Sequence, residues 1–303
     1  MSRALIEFLE TIVPSENVRQ QEPMAAHTTF RVGGPADVFV TVSEEEQLRK
    51  ILKYLDLTGW SYFLLGCGSN LLVSDRGYRG VVIRLDGAFG RVRVDGRRIT
   101  AGSSALLSQV ARAACDNSLC GLEFASGIPG SVGGGVRMNA GAYGGEMAQV
   151  VRTVRVMYKD GSIMELDNNT MEFGYRSSVL KDRPYVVLDV TMELEEGKKE
   201  EILERMKELA ARRREKQPLE YASAGSTFKR PEGHFAGKLI MDAGMRGARI
   251  GGARVSDKHC GFIINDGTAT AADIAELIEE VTETVKEKFG VRLEPEVIFL
   301  GDF

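Results

Sequence analysis

No stretch of this chain approaches the roughly 20 consecutive apolar residues that a membrane-spanning helix needs, so a transmembrane protein is not expected. Cysteine is scarce. The four present, Cys67, Cys115, Cys120 and Cys260, have neither CxxC nor zinc-ligand spacing, and three histidines could not readily complete a metal site. All four cysteines are read as reduced thiols. Positive charge is not in excess: 39 Lys and Arg stand against 43 Asp and Glu, for a formal net charge of −4. A polyanion such as nucleic acid is bound mainly by Lys and Arg neutralising phosphates, so no nucleic-acid partner is expected. Any anionic ligand must meet local positive charge. A GxxxxGK[ST] motif is also missing, which excludes a P-loop. The opening "MSRALIEFLETIV" carries Glu7 and Glu10 inside its apolar pattern and reads as an amphipathic helix, not a signal peptide. A cytoplasmic location is the expectation.

The remaining composition, 43% hydrophobic and 27% charged over 303 residues, is that of an ordinary globular chain with room for two or three domains. In "SEEEQLRKILKYLDL", Ser43 and Glu46 have capping-box spacing, and Leu48, Ile51, Leu52 and Leu55 recur on one helical face. Strand-like "ADVFVTV", "SYFLL" and "GVVIRL" flank that helix, giving a first α/β region over residues 1–85. Hairpin signals follow. Asp95-Gly96 in "RVRVDGRRITAG" and Asp160-Gly161 in "VRVMYKDGSIMEL" suit tight primed turns, and "SALLSQVARAACDN" between them is helical. A second α+β region thus runs over 86–196. The charged helix "EEILERMKELAARRREKQ" opens a third, smaller α/β region over 197–303, its "ARRREK" run serving as a solvated last turn that complements the helix dipole. That region holds "FIIN" and a helix beginning at Thr270, whose Ile274, Leu277, Ile278, Val281 and Val285 form one stripe ending at Gly290.

Nine of the 34 glycines fall between Gly121 and Gly145, where average usage gives about two. Glycine tolerates positive φ and close approach of other groups, so something comes near the main chain there. A shorter cluster, "LGCGSNLLV", offers GxG after a strand but fails the rest of the dinucleotide fingerprint. Leu71 stands where the third glycine belongs, and no helix follows. What remains is a pair of backbone nests for a diphosphate, one from Gly66, Gly68, Ser69 and Asn70, the other from Gly130, Ser131, Gly133 and Gly134.

Six motifs in order carry a resemblance: "HTTFRVGGPADVFV", "LGCGSNLLVSDRGYRGVVIRL", "GLEFASGIPGSVGGGVRMNAGAYGGEM", "FGYRSSVLK", "AGSTFKRP" and "LEPEV". From His27 to Val297 the chain resembles the UDP-N-acetylenolpyruvoylglucosamine reductases, flavoenzymes of peptidoglycan precursor synthesis. The resemblance implies an α+β chain with the vanillyl-alcohol-oxidase type of FAD-binding fold, two subdomains holding non-covalent FAD and a third, smaller α/β domain taking the substrate. NADPH would be the hydride donor and UDP-N-acetylglucosamine enolpyruvate the acceptor. Carried over residue by residue, the cofactor positions are Gly66, Cys67, Gly68, Ser69, Asn70, Leu71, Ile128, Pro129, Gly130, Ser131, Gly133, Gly134, Asn139 and Gly141. Arg176 of "YRSS" and Glu296 of "EPEV" are implied at the substrate carboxylate, and Ser226 of "AGSTF" as proton donor. Tyr175, Lys229, Arg230 and Lys238 are implied as substrate neighbours.

Those residue types suit the chemistry. Hydride addition to an electron-rich enol ether needs its carboxylate to take up charge, and an acid to deliver one proton. A guanidinium can grip a carboxylate with two hydrogen bonds. A second carboxylate such as Glu296 fits there only if it carries a proton or Arg176 bridges the two. Two departures stand out. Arg230 occupies the position where the family usually has Asn, and the short path from "SSVLK" to "DRPYVVLDV" leaves no room for the substrate-covering tyrosine loop of the longer form. A flavin-tethered oxidase of the same fold and a flavin-free nucleotide-sugar binding module are the competing readings. A monomer is expected.

Overall fold

The computed structural model describes residues 3–303, which divide into two compact units. The first comprises residues 3–19, 38–66 and 80–213, the second 20–37, 67–79 and 214–303. The second unit therefore draws two short segments from the N-terminal third of the chain.

Two hydrophobic clusters fill the first unit. Around one of them lies the helix Glu45–Thr58, whose Leu48, Ile51, Leu52 and Leu55 are fully buried beside Leu5, Leu9, Val38, Val40, Val81 and Ile83. Each such side chain contributes about 1.5–3 kcal/mol by leaving water. The capping box sits one residue later than its expected place. Gln47, not Glu46, reaches back, its Oε1 accepting from the backbone N–H of Ser43 at 3.0 Å and of Glu44 at 3.2 Å. Strand Tyr62–Leu65 pairs in parallel with Tyr78–Leu85, from Tyr62 opposite Val81 to Leu65 opposite Arg84.

The other cluster backs a five-stranded antiparallel sheet in the order Ile163–Asp167, Val151–Met157, Val186–Glu193, Arg98–Gly102, Val92–Asp95. Val154, Val156, Val190 and Met192 of the sheet pack with Val110, Ala114, Val132 and Val136 of two helices. At the first hairpin Asp95 pairs with Arg98, so the turn is made by Gly96 and Arg97 and not by Asp95-Gly96. Gly96 takes positive φ at the first central position (φ +55°), as a type II′ turn requires.

In the second unit the helix Ala271–Phe289 is stopped by Gly290 at φ +69° and buries the predicted stripe against Phe30, Val32, Leu72, Ile240 and Ile263. Its first turn is doubly capped. Thr270 Oγ1 accepts from Asp273 N at 3.0 Å, and the Asp75 carboxylate accepts from Ala271 N and Ala272 N, both at 2.9 Å. A small antiparallel sheet, Arg249–Ile250, Ala253–Val255 and Ile263–Asn265, packs beside it. Strand Leu71–Val73 pairs in parallel with Ile298–Leu300. Among the described residues no helix is long and apolar enough to cross a membrane.

Candidate active site

The turn Cys67–Asn70 belongs to the second unit. Gly68 is required there twice over: its φ is +61°, and a Cβ would lie 1.9 Å from His27 O. The carbonyl of Gly68 accepts from Thr29 N at 3.1 Å, which ties the turn to the "HTTF" segment. The N–H groups of Gly68, Ser69 and Asn70 donate to no protein acceptor among the described residues. Three successive open donors starting from a left-handed residue are the geometry of an anion nest. Cys67, Ser69 and Asn70 are half-buried, whereas Leu71 is buried within its strand.

From this turn the structure leads to two of the predicted catalytic residues. Ile298 N donates to Asn70 O and Asn70 Nδ2 donates to Glu296 O, each at 3.0 Å. Glu296 N in turn donates to Thr227 O at 2.8 Å, and Lys229 N to Glu294 O at 2.8 Å, around a bridge between Phe228 and Pro295. Exposed Ser226 and half-buried Glu296 are thus carried on paired segments laced to the nest. Thr227, fully buried between them and unflagged by the sequence, anchors the pair. Its N–H donates to Gly261 O at 2.8 Å, and its Oγ1 accepts from Ile263 N at 3.0 Å. A Thr beside a Gly-Ser pair carries no distinguishing signal of its own.

The predicted cations of the second unit have partners. Lys229 meets Glu294 at 2.7 Å, a contact that holds the exposed Glu294 carboxyl below its usual range, and Lys238 meets Asp242 at 2.6 Å on the helix Ala236–Asp242. Arg230 lies over the Phe235 ring at 4.1 Å, and its Nε donates to His234 O at 3.3 Å.

The remaining predicted residues lie in the first unit. Tyr175 and Arg176 form the tip of a tight turn closed by Gly174 N to Ser177 O at 3.0 Å. Arg176, at φ +52°, donates through Nη2 to Gly141 O at 3.3 Å. Asn139 is only 1% exposed, and both ends of its amide are engaged: Nδ2 donates to Gly174 O at 3.0 Å and Oδ1 accepts from Ala148 N at 2.9 Å. Asn139 therefore holds the arginine turn in place. Gly66, which belongs to the first unit, abuts Ser131, where a Cβ would lie 2.9 Å from Oγ.

The second nest is otherwise than expected. Gly130 N donates to Ile128 O at 2.9 Å, Gly133 N to Ser103 O at 2.8 Å, and Gly134 N to the capping Ser131 Oγ at 3.4 Å. These amides are spent on the fold, because the short helix Val132–Arg137 must be seated on the segment around Ser103. Pro129 has no N–H, and half-buried Ile128 donates to Ala125 O at 3.1 Å.

With this geometry in hand, the chain can be set beside known proteins. Residues 36–167 match the FAD binding domain family, and residues 217–300 match the C-terminal domain of UDP-N-acetylenolpyruvoylglucosamine reductase. Curated reductases of that name from Lachnoclostridium phytofermentans and Clostridioides difficile are 49% and 51% identical. They are covered over 99% and 97% of their lengths, by 100% and 97% of this chain. The chain belongs to the UDP-N-acetylenolpyruvoylglucosamine reductase family. A solved reductase of this family, from Thermus caldophilus, superposes with a TM-score of 0.82 at 39% identity, covering 94% of this chain and 100% of that one. The chain is accordingly an FAD-dependent oxidoreductase, and the open amides of Gly68, Ser69 and Asn70 fit the diphosphate of such a cofactor.

Proposed function

We propose that this protein reduces UDP-N-acetylglucosamine enolpyruvate to UDP-N-acetylmuramate with NADPH, in the cytoplasm and as a monomer, supplying a precursor of peptidoglycan and hence of cell shape and division. When bound, FAD supplies the hydride relay between the two substrates. The regions 1–85 and 86–196 supply the groups that bind it, the former including the segment 67–79 that packs with the second unit, and 197–303 receives the nucleotide sugar. Arg176 draws charge onto the enolpyruvyl carboxylate through its planar fork, and Glu296 completes the clamp on that group. Ser226 delivers the proton to C2; a hydroxyl held beside a strongly basic carbon needs no lowered pKa to do so. Tyr175, Lys229, Arg230 and Lys238 line the path of the sugar nucleotide.

The observation that carries this reading is the lacing of the nest to the catalytic segments: Asn70 Nδ2 to Glu296 O, then Glu296 N to Thr227 O beside Ser226. An absorbance spectrum of the purified protein, followed by acid precipitation, tests it. A yellow protein whose flavin enters the supernatant as FAD is expected. Flavin held in the pellet would favour a tethered oxidase, and colourless protein that takes up no added FAD a binding module.

A further inference from the structure

The turn that presents Arg176 closes on one peptide group used twice. Gly174 N donates to Ser177 O at 3.0 Å, and Ser177 N donates back to Gly174 O at 3.2 Å. The same Gly174 carbonyl also accepts from Asn139 Nδ2, at 3.0 Å. Asn139 thus grips the atom on which the turn closes. Within the turn Arg176 is held at φ +52°, a conformation that an ordinary side chain keeps only where its surroundings over-determine it.

Asparagine suits position 139 on two counts. Its backbone there is left-handed, at φ +41°, which Asn tolerates better than most residues. Its amide gives an N–H to Gly174 O and an acceptor to Ala148 N, so its orientation is fixed from both sides. A carboxylate in its place would turn an acceptor toward the Gly174 carbonyl. Beyond Ala148 the contacts continue. Asn168, just after the strand Ile163–Asp167, donates through Nδ2 to Ala148 O at 2.9 Å and to Val151 O at 2.7 Å. The arginine turn is thereby braced against the five-stranded sheet. Ser178 Oγ, donating to Arg137 O at 2.8 Å, and Arg137, donating to Leu180 O, fasten the segment after the turn and leave Gly174 to Asn139.

We propose that Asn139 is a positioning residue for reduction of the enolpyruvyl substrate: through the Gly174 carbonyl it sets where the Arg176 guanidinium meets the substrate carboxylate. The inference rests on the role given to Arg176 above. A guanidinium fork is directional, and a displacement of about 1 Å is enough to cost on the order of 100-fold in rate.

The test uses Asn139→Gly, which keeps the left-handed backbone and removes the amide, and Asn139→Asp, which keeps an acceptor for Ala148 N and loses the donor to Gly174 O. In stopped-flow, both variants should reduce their flavin with NADPH near the wild-type rate. Reoxidation by UDP-N-acetylglucosamine enolpyruvate should slow roughly 10- to 100-fold, with a raised KM for that substrate. Asn139→Gly is then combined with Arg176→Ala. Because Asn139 acts through Arg176, the double variant should reoxidise within about twofold of Arg176→Ala alone, a coupling that independent residues do not show. Losses that multiply would overturn the inference, as would wild-type reoxidation in Asn139→Gly or equal slowing of both halves. Failure of both variants to retain FAD would make Asn139 a support of the cofactor and overturn it too. Wild-type reoxidation in Arg176→Ala itself would remove the role of Arg176, an outcome separate from failure of Asn139 alone.

Discussion

Arg176 sits at φ +52°, a left-handed conformation that costs an ordinary residue roughly 1–2 kcal/mol and that glycine would adopt freely. The guanidinium at this turn is the group proposed for the substrate carboxylate. Arg176→Lys should therefore leave the NADPH half-reaction near the wild-type rate while slowing reoxidation by the enolpyruvyl substrate, because an ammonium cannot form the fork. Ser226→Ala should separate the halves in the same way, with reoxidation in stopped-flow slowed about 10²- to 10⁴-fold, the usual contribution of a positioned acid. Reoxidation of Ser226→Ala at the wild-type rate would assign the proton to water or another group. At this scale the sequence identified which residues to watch, through their motifs, but not what each one touches. Asn139 and Gly133 stand in the expected motif, yet their polar groups are spent on Gly174, Ala148 and Ser103. Arg213, in the run read as a solvated last turn, is instead half-buried against Gly127, and the charge run hides this because the direction in which a helical side chain turns depends on neighbours far away in sequence.

Among elements, the long helices were the most legible, since a four- or five-residue apolar stripe with a cap and a stop glycine has few alternatives. The turns were less so. His259 is an example: its Nδ1 accepts from Gly261 N at 3.1 Å, and Gly261 O accepts from Thr227 N at 2.8 Å, so the ring supports the segment bearing Ser226. Bare backbone at Gly237 and Gly261 makes room for it, and Phe262 meets the ring edge-on at 4.9 Å. Burial pushes the His259 pKa below its ordinary 6.5, keeping the ring neutral and Nδ1 an acceptor. The unfolded chain then takes up this proton before the folded one does. Stability from this group is present above the unfolded pKa of 6.5 and is lost as pH falls below it. Melting temperatures recorded from about pH 7.5 down to 5 should fall more steeply in the wild type than in His259→Asn, whose amide oxygen can accept the same hydrogen bond without titrating. Parallel slopes would dissociate His259 from the acid sensitivity.

For the whole molecule, contiguous reading of the chain misses how the second unit is assembled. Boundaries at 85/86 and 196/197 follow changes of texture along the sequence, whereas segments 20–37 and 67–79 join residues 214–303. Nothing in the polarity of "LLV" announces that its partner is Ile298–Leu300. A fragment of residues 214–303 alone would lack Phe30, Val32 and Leu72 from its core, the Asp75 carboxylate from its main helix and the strand that orders its final residues. Losses of this size, at several kcal/mol for the three side chains alone, exceed the margin of a small domain. The fragment should show no cooperative thermal transition by circular dichroism, and a sharp transition would mean that the later residues form a self-sufficient domain.

The pairing of Leu71–Val73 with Ile298–Leu300 also orders events in time. During synthesis the turn that contains Gly68 leaves the ribosome early, but the strand that fixes it is made more than 200 residues later; Asn70 and Glu296 are 226 positions apart. Closing so long a loop is entropically costly and slow compared with forming local helices. A nascent chain short of residue 300 would hold this turn without its partner strand, and the segment bearing Glu296 would be fixed only once that strand had been made.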